Sequence, residues 1–309
     1  MRRGKEQIMD AERILDIVQS VSDLQHIRSG KVREIFRFTE NILLFVATDR
    51  ISAFDVVLPT DIPSKGKVLT NISKFWFRET KDICPNHFVS TRPQDFMDLE
   101  DDVLEVLAGR SMMVEQMRPI PFECIVRGHL CGSAFREYEK SGTVGGVELP
   151  QGLKFGDKIA SGPLFTLTTK AETGHDLPVG FEALEAEIGE EDAEVVRKMS
   201  QELYQFGQRV ARQAGLVLVD TKFEFGYNRR GEVCVMDEML TPDSSRFWLK
   251  SDYLKGNRGD PYDKEFVRQY LVESGWDRNP PAPELPEEIV SETVRRYTLV
   301  HDAITKLKL

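Results

Sequence analysis

Apolar residues follow several rhythms along the chain. Ile8, Ile14, Leu15, Val18 and Val21 fall near one face of a helical period, which predicts an amphipathic helix near the start. From 26 to 46 the rhythm shortens: Phe36 and Phe38 alternate with polar neighbours, 42–46 is an unbroken apolar run, and Ser29-Gly30 marks a tight turn, so strands are expected. Helical spacing returns over 68–80, and 112–117 and 120–126 read as strands flanking a bend at Pro119. Between 142 and 180, glycine, threonine and proline dilute any period, which predicts a long loop of the kind that often carries function. Val195, Val196, Met199, Leu203, Phe206 and Val210 then define a long helix stopped by Gly215. Strands over 216–225 and 232–237 flank the hairpin signal GYNRRG at 226–231. A proline-rich linker at 280–286 leads to a terminal helix marked by Ile289, Val290, Val294, Tyr297 and Ile304. This order of elements predicts an α+β protein rich in antiparallel pairs.

A chain of 309 residues has room for two modest domains. Its net charge of −10 argues against a general affinity for nucleic acid, which needs a basic face, but allows a local cationic pocket for a small anion. The basic start is not followed by the apolar run of a secretory signal, and no apolar stretch is long enough to span a membrane, so no membrane partner and a cytoplasmic location are expected. Cys84, Cys124, Cys131 and Cys234 contain no C-x-x-C pair and are expected to be reduced structural thiols.

The densest chemistry lies at 219–226. On a strand, Asp220, Lys222 and Glu224 point one way while Val219, Thr221, Phe223 and Phe225 point the other. Alone, this is equally a half-buried strand with a salt-bridged outer face. The next strand ends in Asp237, and the hairpin brings it near Glu224, although a slip of one residue would turn it to the opposite face. If the two carboxylates share a face, they suit Mg²⁺ bridging nucleotide phosphates, with Lys222 facing the same phosphates. The turn at 241–248 offers hydroxyls and Arg246 for an anion, or a helix start capped by Asp243 or Ser244. Glu123 and Arg127 fall on one strand face, and Gly132-Ser133 opens a helix whose N-terminus suits an anion. Ser29-Gly30-Lys31-Val32-Arg33 is a glycine hairpin that can cover phosphates but is no Walker A loop. The histidine of 170–176 also reads as an ordinary loop residue.

Together these segments are more specific than any one of them. GKVRE at 30–34, ATDRISAFDVVLP at 47–59, SKGKVLTNISKFWF at 64–77, PIPFECIVRGHLCGS at 119–133, TTKAETGHD at 168–176, LVDTKFEFG at 218–226 and MDEMLTPDSSRFW at 236–248 occur in an order and spacing that resembles the SAICAR synthetase family. The resemblance implies two α+β domains around an ATP cleft similar to kinase and ATP-grasp architectures, with C-terminal helices. The expected divisions are 1–118, 119–279 and 280–309. It also implies an ATP-dependent ligase joining L-aspartate to the carboxylate of carboxyaminoimidazole ribonucleotide (CAIR), with Mg²⁺.

Carried over by position, Gly30 and Lys31 would cover the ATP phosphates, Lys222 would contact them, Glu224 and Asp237 would hold the metal, and adenine would lie near Met117. Arg127, Ser133 and Arg246 match residues that hold the CAIR phosphate and ribose. Asp176, Asp220 and Asp55 belong where CAIR and aspartate meet, with Lys222, Asp220 and Asp176 as the catalytic set. Three departures stand out: Cys131 where Thr or Ala is usual, Leu167 for a proline, and Leu177-Pro178-Val179-Gly180 after Asp176. A small-molecule kinase would keep Lys31, Lys222, Glu224 and Asp237 without needing Arg127, Ser133 and Arg246 together. A non-catalytic nucleotide-binding module would be expected to lack one of the metal carboxylates or the phosphate lysine.

Overall fold

A computed structural model describes residues 11–170 and 176–307. In chain order, its first elements are α1 (Ala11–Gln19), β1 (Gln25–Ser29), β2 (Arg33–Arg37), β3 (Ile42–Ala47), the short pair β4 (Ser52–Ala53) and β5 (Val56–Val57), α2 (Lys65–Glu79), β6 (Phe88–Ser90), α3 (Asp101–Leu107) and β7 (Ser111–Glu115). There follow β8 (Arg118–Arg127), α4 (Gly132–Ser141), β9 (Thr143–Val144), β10 (Val147–Glu148), β11 (Leu164–Thr169) and β12 (Pro178–Val179). The remainder is α5 (Phe181–Ile188), α6 (Glu190–Gln213), β13 (Leu216–Tyr227), β14 (Val233–Met236), β15 (Ser245–Leu249), α7 (Lys250–Leu254), α8 (Glu265–Glu273) and α9 (Glu287–Thr305). No helix among the described residues is long and apolar enough to cross a membrane.

The chain forms two compact units. The first takes the chain up to Phe75, Phe88–Gln116 and Asp263–Thr305; the second is built on Trp76–His87 and Met117–Tyr262. In the first, an antiparallel sheet runs β1-β2-β3-β7-β6. Its register places Phe36 opposite Leu44 and Leu44 opposite Met113, so these side chains line one face. They pack with Ile14 and Val18 of α1 and with Val103, Val106 and Leu107 of α3. A second core in the same unit joins Ile51, Leu58 and Ile62 to Val267 and Leu271 of α8 and Leu285, with Val290 and Val294 of α9 against it. This core is why residues after Asp263 group with the start of the chain, unlike a division at 118 and 279. The amphipathic pattern of a helix shows that it buries a face, not which core receives it.

The second unit is a six-stranded sheet in the order β12-β11-β8-β13-β14, with β15 also paired to β13. Helix α6 buries Ala193, Val196, Ser200, Leu203, Tyr204, Gly207, Val210 and Ala211, a spacing that presents one stripe. The Tyr204 hydroxyl, fully buried, donates to the Leu218 carbonyl at 2.8 Å and ties α6 to β13. Segment 142–180, expected as a loop, contains the sheet strand β11, paired along its whole length with β8 from Leu164↔Arg127 to Thr169↔Phe122. Its period was hidden because the buried residues Leu164 and Leu167 are three apart and fall on opposite faces, with threonines on both, so no two-residue alternation appears. The stretch around Arg246, expected as a turn or helix start, is likewise strand β15.

Candidate active site

One face of the second unit's sheet collects most of the chemistry. Register pairs Asp220 with Arg127, Lys222 with Ile125 and Glu224 with Glu123, so alternate residues of β13 and β8 project together. On the far side of β8, Thr166 pairs with Ile125 and Thr168 with Glu123; on the far side of β13, Arg246 pairs with Asp220. The alternate β13 residues Phe223 and Phe225 are buried. The charged set is itself largely buried, with Asp220 at 4% and Glu224 at 7% exposure, so the acid, base, acid alternation is balanced by ion pairs across this face and not by water.

At one end of this face Lys222 lies between carboxylates. Its Nζ donates to Glu224 Oε1 at 2.5 Å and stands 3.1 Å from Glu123 Oε1. Lys170 bonds the other oxygen of Glu224, and the Thr168 hydroxyl donates to Glu123 at 3.1 Å. Asp237 reaches this cluster by an unusual route. Glu224 pairs with Met236, so continued strand would turn Asp237 away. Instead Asp237 leaves β14 in the left-handed region, φ 71°, and its charge acts on both Lys222 and Glu224. Burial pushes the Lys222 ammonium down, but Glu224, Glu123 and Asp237 outweigh it and hold the group well above the ordinary lysine value. Burial pushes the Glu224 carboxyl up, yet Lys222 and Lys170 overcome both that and Asp237 and hold it below the usual range.

Among the described residues no cluster of three or more His, Cys, Asp or Glu side chains forms a closed metal cage. Two carboxylates are nevertheless a suitable protein share for Mg²⁺, which keeps water and takes its remaining ligands from phosphate oxygens. Glu224 and Asp237 fit that requirement, and the two lysines suit the phosphates.

At the other end, Asp220 is 4% exposed and holds two guanidiniums. Arg246 Nη1 lies 2.6 Å and Arg127 Nη1 3.6 Å from Asp220 Oδ2, while Arg127 Nε donates to Thr166 at 3.1 Å. The Cys131 thiol points at the same Asp220 oxygen, 3.6 Å away, and burial holds it far above the ordinary thiol range, so it is a neutral donor. Ser133 is exposed in the first turn of α4. The helix begins at Gly132, whose φ of +56° favours glycine, and a Cβ there would stand 2.7 Å from Arg246 Nη2, so a side chain would have to displace the guanidinium. A guanidinium is thus packed against a helix N-terminus, where the backbone already carries partial positive charge. Asp220 offsets this locally, and the arrangement favours a further anion.

The first unit holds Gly30, Lys31 and Asp55. Gly30 donates to the Arg33 carbonyl at 2.7 Å to close the hairpin, and Arg50 supports the turn by donating to the Gly30 carbonyl at 2.9 Å and to buried Glu34 at 2.7 Å. Lys31 bonds Asp55 at 2.5 Å, so two residues expected in different subsites form an exposed ion pair. Phe54 and Asp55 both have positive φ, 52° and 67°, which turns Asp55 outward. Met117 is buried in the connection from β7 to β8. Asp176 is exposed; the expected loop histidine, His175, lies outside the described residues.

The sequence pattern singled out Lys222, Glu224, Asp220, Arg127 and Arg246, and the sheet gathers them on one face. It passed over Lys170, Thr166 and Thr168 because β11 was unrecognised; the alternation Thr166, Thr168, Lys170 was the available signal. Glu123 was placed on the same face as Arg127 without its pairing to Lys222.

The SAICAR synthetase family profile matches residues 26–283. The chain is 48% identical over 279 residues to the phosphoribosylaminoimidazole-succinocarboxamide synthase of Thermodesulfovibrio yellowstonii, covering 90% of this chain and 94% of the relative. It is 41% identical over 288 residues to that of Nitrosomonas europaea, covering 93% and 97%. Among solved structures, the SAICAR synthase of Saccharomyces cerevisiae complexed with SAICAR superposes with a TM-score of 0.83 at 36% identity, covering 94% of this chain and 97% of that one.

Proposed function

The chain belongs to the SAICAR synthetase family, and from that membership we infer that it ligates L-aspartate to the carboxylate of CAIR, cleaving ATP to ADP and phosphate and releasing SAICAR. The observation that carries this reading beyond a generic ATP-using enzyme is the pair of guanidiniums on Asp220 beside the N-terminus of α4. A sugar or inositol kinase has no need of such a phosphate anchor.

The chemistry explains why both ends of the face are needed. A carboxylate is a poor acyl donor, so the γ-phosphoryl group of ATP is first transferred to a CAIR carboxylate oxygen, giving an acyl phosphate and ADP. The uncharged amine of aspartate then attacks the acyl carbon, the C–O bond to phosphate breaks, and an amide forms as the amine loses its proton. Both steps crowd negative charge together, and fixed cations stabilise it. Lys222 and Lys170 would neutralise the transferring phosphoryl group, while Glu224 and Asp237 would hold Mg²⁺, whose charge polarises the phosphates. Gly30 and Lys31 would cover the phosphates and Met117 would line the adenine site. Arg127, Arg246 and Ser133 would bind the CAIR phosphate. Asp220 acts here as a positioning residue that keeps both guanidiniums aimed, and Asp176 and Asp55 would serve aspartate or CAIR. The same reading carries a cytoplasmic location, with which buried cysteines at 84, 124, 131 and 234 agree.

The deciding experiment measures ADP release with Mg²⁺ while CAIR and L-aspartate are omitted in turn. Release is expected only with the complete set. Rapid turnover with inositol or a sugar, and none with CAIR plus aspartate, would overturn the reading in favour of a kinase.

A further inference from the structure

Strand β11 brings polar side chains to the charged face at alternate positions, and each meets a different functional group. Thr166 accepts a hydrogen bond from Arg127 Nε at 3.1 Å, Thr168 donates to Glu123 Oε2 at 3.1 Å, and Lys170, just beyond the strand, bonds Glu224. Threonine suits a strand through its β-branched shape, but valine has the same shape and the same preference. The two hydroxyls therefore call for a separate reason.

At Thr166 the hydroxyl has a fixed direction. It carries one proton, which points at the Ile125 carbonyl 3.4 Å away and leaves a lone pair for Arg127 Nε. Rotation of the side chain is also restricted. Its methyl lies against the turn between β9 and β10, where a Cβ added to Gly145 would stand 2.6 Å from Thr166 Cγ2. Arg127 is buried, and its Nη1 stands 3.6 Å from Asp220 Oδ2. Contacts on two different nitrogens set the plane of the guanidinium, whereas either one alone lets it pivot.

Thr168 acts at the other end of the face. Its partner Glu123 spans two groups, with Oε2 held by the hydroxyl and Oε1 3.1 Å from Lys222 Nζ. Removing the hydroxyl frees the carboxyl to turn, and Lys222 is then drawn toward Glu224, already 2.5 Å away. The position of the ammonium thus depends on a threonine that does not touch it.

We propose that Thr166 and Thr168 are positioning residues with separate roles: Thr166 aims Arg127 at the phosphate of CAIR, and Thr168, through Glu123, sets Lys222 for the transferring phosphoryl group. This assignment rests on the ligase reading above.

The test compares the parent chain with Thr166→Val and Thr168→Val, which keep the side-chain shape and lose the hydroxyl. Two quantities are read: CAIR affinity by calorimetric titration, and kcat at saturating substrates with Mg²⁺. Thr166→Val is expected to weaken CAIR binding about tenfold and leave kcat unchanged, while Thr168→Val lowers kcat about tenfold and leaves CAIR affinity unchanged. Thr166→Ser, which keeps the hydroxyl without the methyl, should bind CAIR as the parent does. Where a valine variant does not fold, the alanine variant at that position carries the same expectation. A strand that is merely loosened would move both quantities together in both variants, and that result, or parental values throughout, would overturn the proposal while the parent still binds CAIR and turns over. A parent that neither binds CAIR nor turns over would instead overturn the ligase reading, and this assignment with it.

Discussion

The two ends of one sheet face carry opposite surpluses of charge. At the first, Glu123, Glu224 and Asp237 surround Lys222, with Lys170 on Glu224, three carboxylates to two ammoniums. At the second, Arg127 and Arg246 share Asp220 beside a helix N-terminus, two guanidiniums to one carboxylate. Both ends lie along β13, a few residues apart. A surplus of carboxylate suits a cation carried with a polyphosphate, whereas a surplus of planar guanidinium suits a phosphate monoester held by forked hydrogen bonds. The same backbone alternation therefore carries two different charge environments, and the difference between them lies in the side chains that neighbouring strands contribute.

The most severe way to break the comparison is at the carboxylate-rich end. Glu224→Ala and Asp237→Ala are each expected to lower kcat by on the order of a thousandfold, since a metal clamp on a transferring phosphoryl group contributes several kcal/mol. Steady-state rates across a Mg²⁺ titration, with circular dichroism to verify folding, provide the check. A loss confined to CAIR affinity would mean that the two ends had been assigned the wrong ligands.

At the guanidinium end the expected effect is smaller and falls on a different substrate. Arg246→Ala should weaken apparent CAIR affinity by roughly ten- to a hundredfold, from about 1.5–3 kcal/mol per charge-assisted bond, and leave ATP affinity nearly unchanged. Arg246→Lys should restore only part of this, because an ammonium lacks the fork. Direct titration of each nucleotide separates these outcomes.

A third test uses His129, two residues beyond Arg127. Its folded pKa of about 4 lies below the ordinary 6.5, so between these values the unfolded chain holds a proton that the folded chain does not. Stability should therefore fall as pH drops from 6.5 toward 4, by at most ~1.4 kcal/mol per pH unit from this group, and gain no further slope below 4. Urea denaturation of His129→Phe beside the parent should show the slope reduced in that window alone. The smallest effect is expected at the Lys31 hairpin. Both partners of its ion pair are exposed, 52% and 41%, so Lys31→Ala should change unfolding stability by less than ~1 kcal/mol. A rise in the KM for ATP without a change in Tm would separate a ligand role from a structural one.

The amino-acid pattern by itself determined the elements whose two faces differ clearly. The alternation along 219–226, the apolar stripe of α6 and the hairpin signal at 226–231 were all legible because each encodes burial locally. The family strings likewise single out Lys222, Glu224 and Arg246, which the sheet brings to one face. Strand β11 was not legible, because its buried leucines fall on opposite faces and its threonines on both, which leaves no alternation to read. Nor was the membership of α8 and α9 in the first unit, which depends on the distant partners Ile51 and Leu58. The position of Asp237 could not be settled by counting from Glu224, since a left-handed residue at the strand end cancels the slip in register. Those outcomes depend on non-local pairing and on one backbone dihedral, and only the tertiary structure decides them, because the side-chain pattern records which face is buried but not against what.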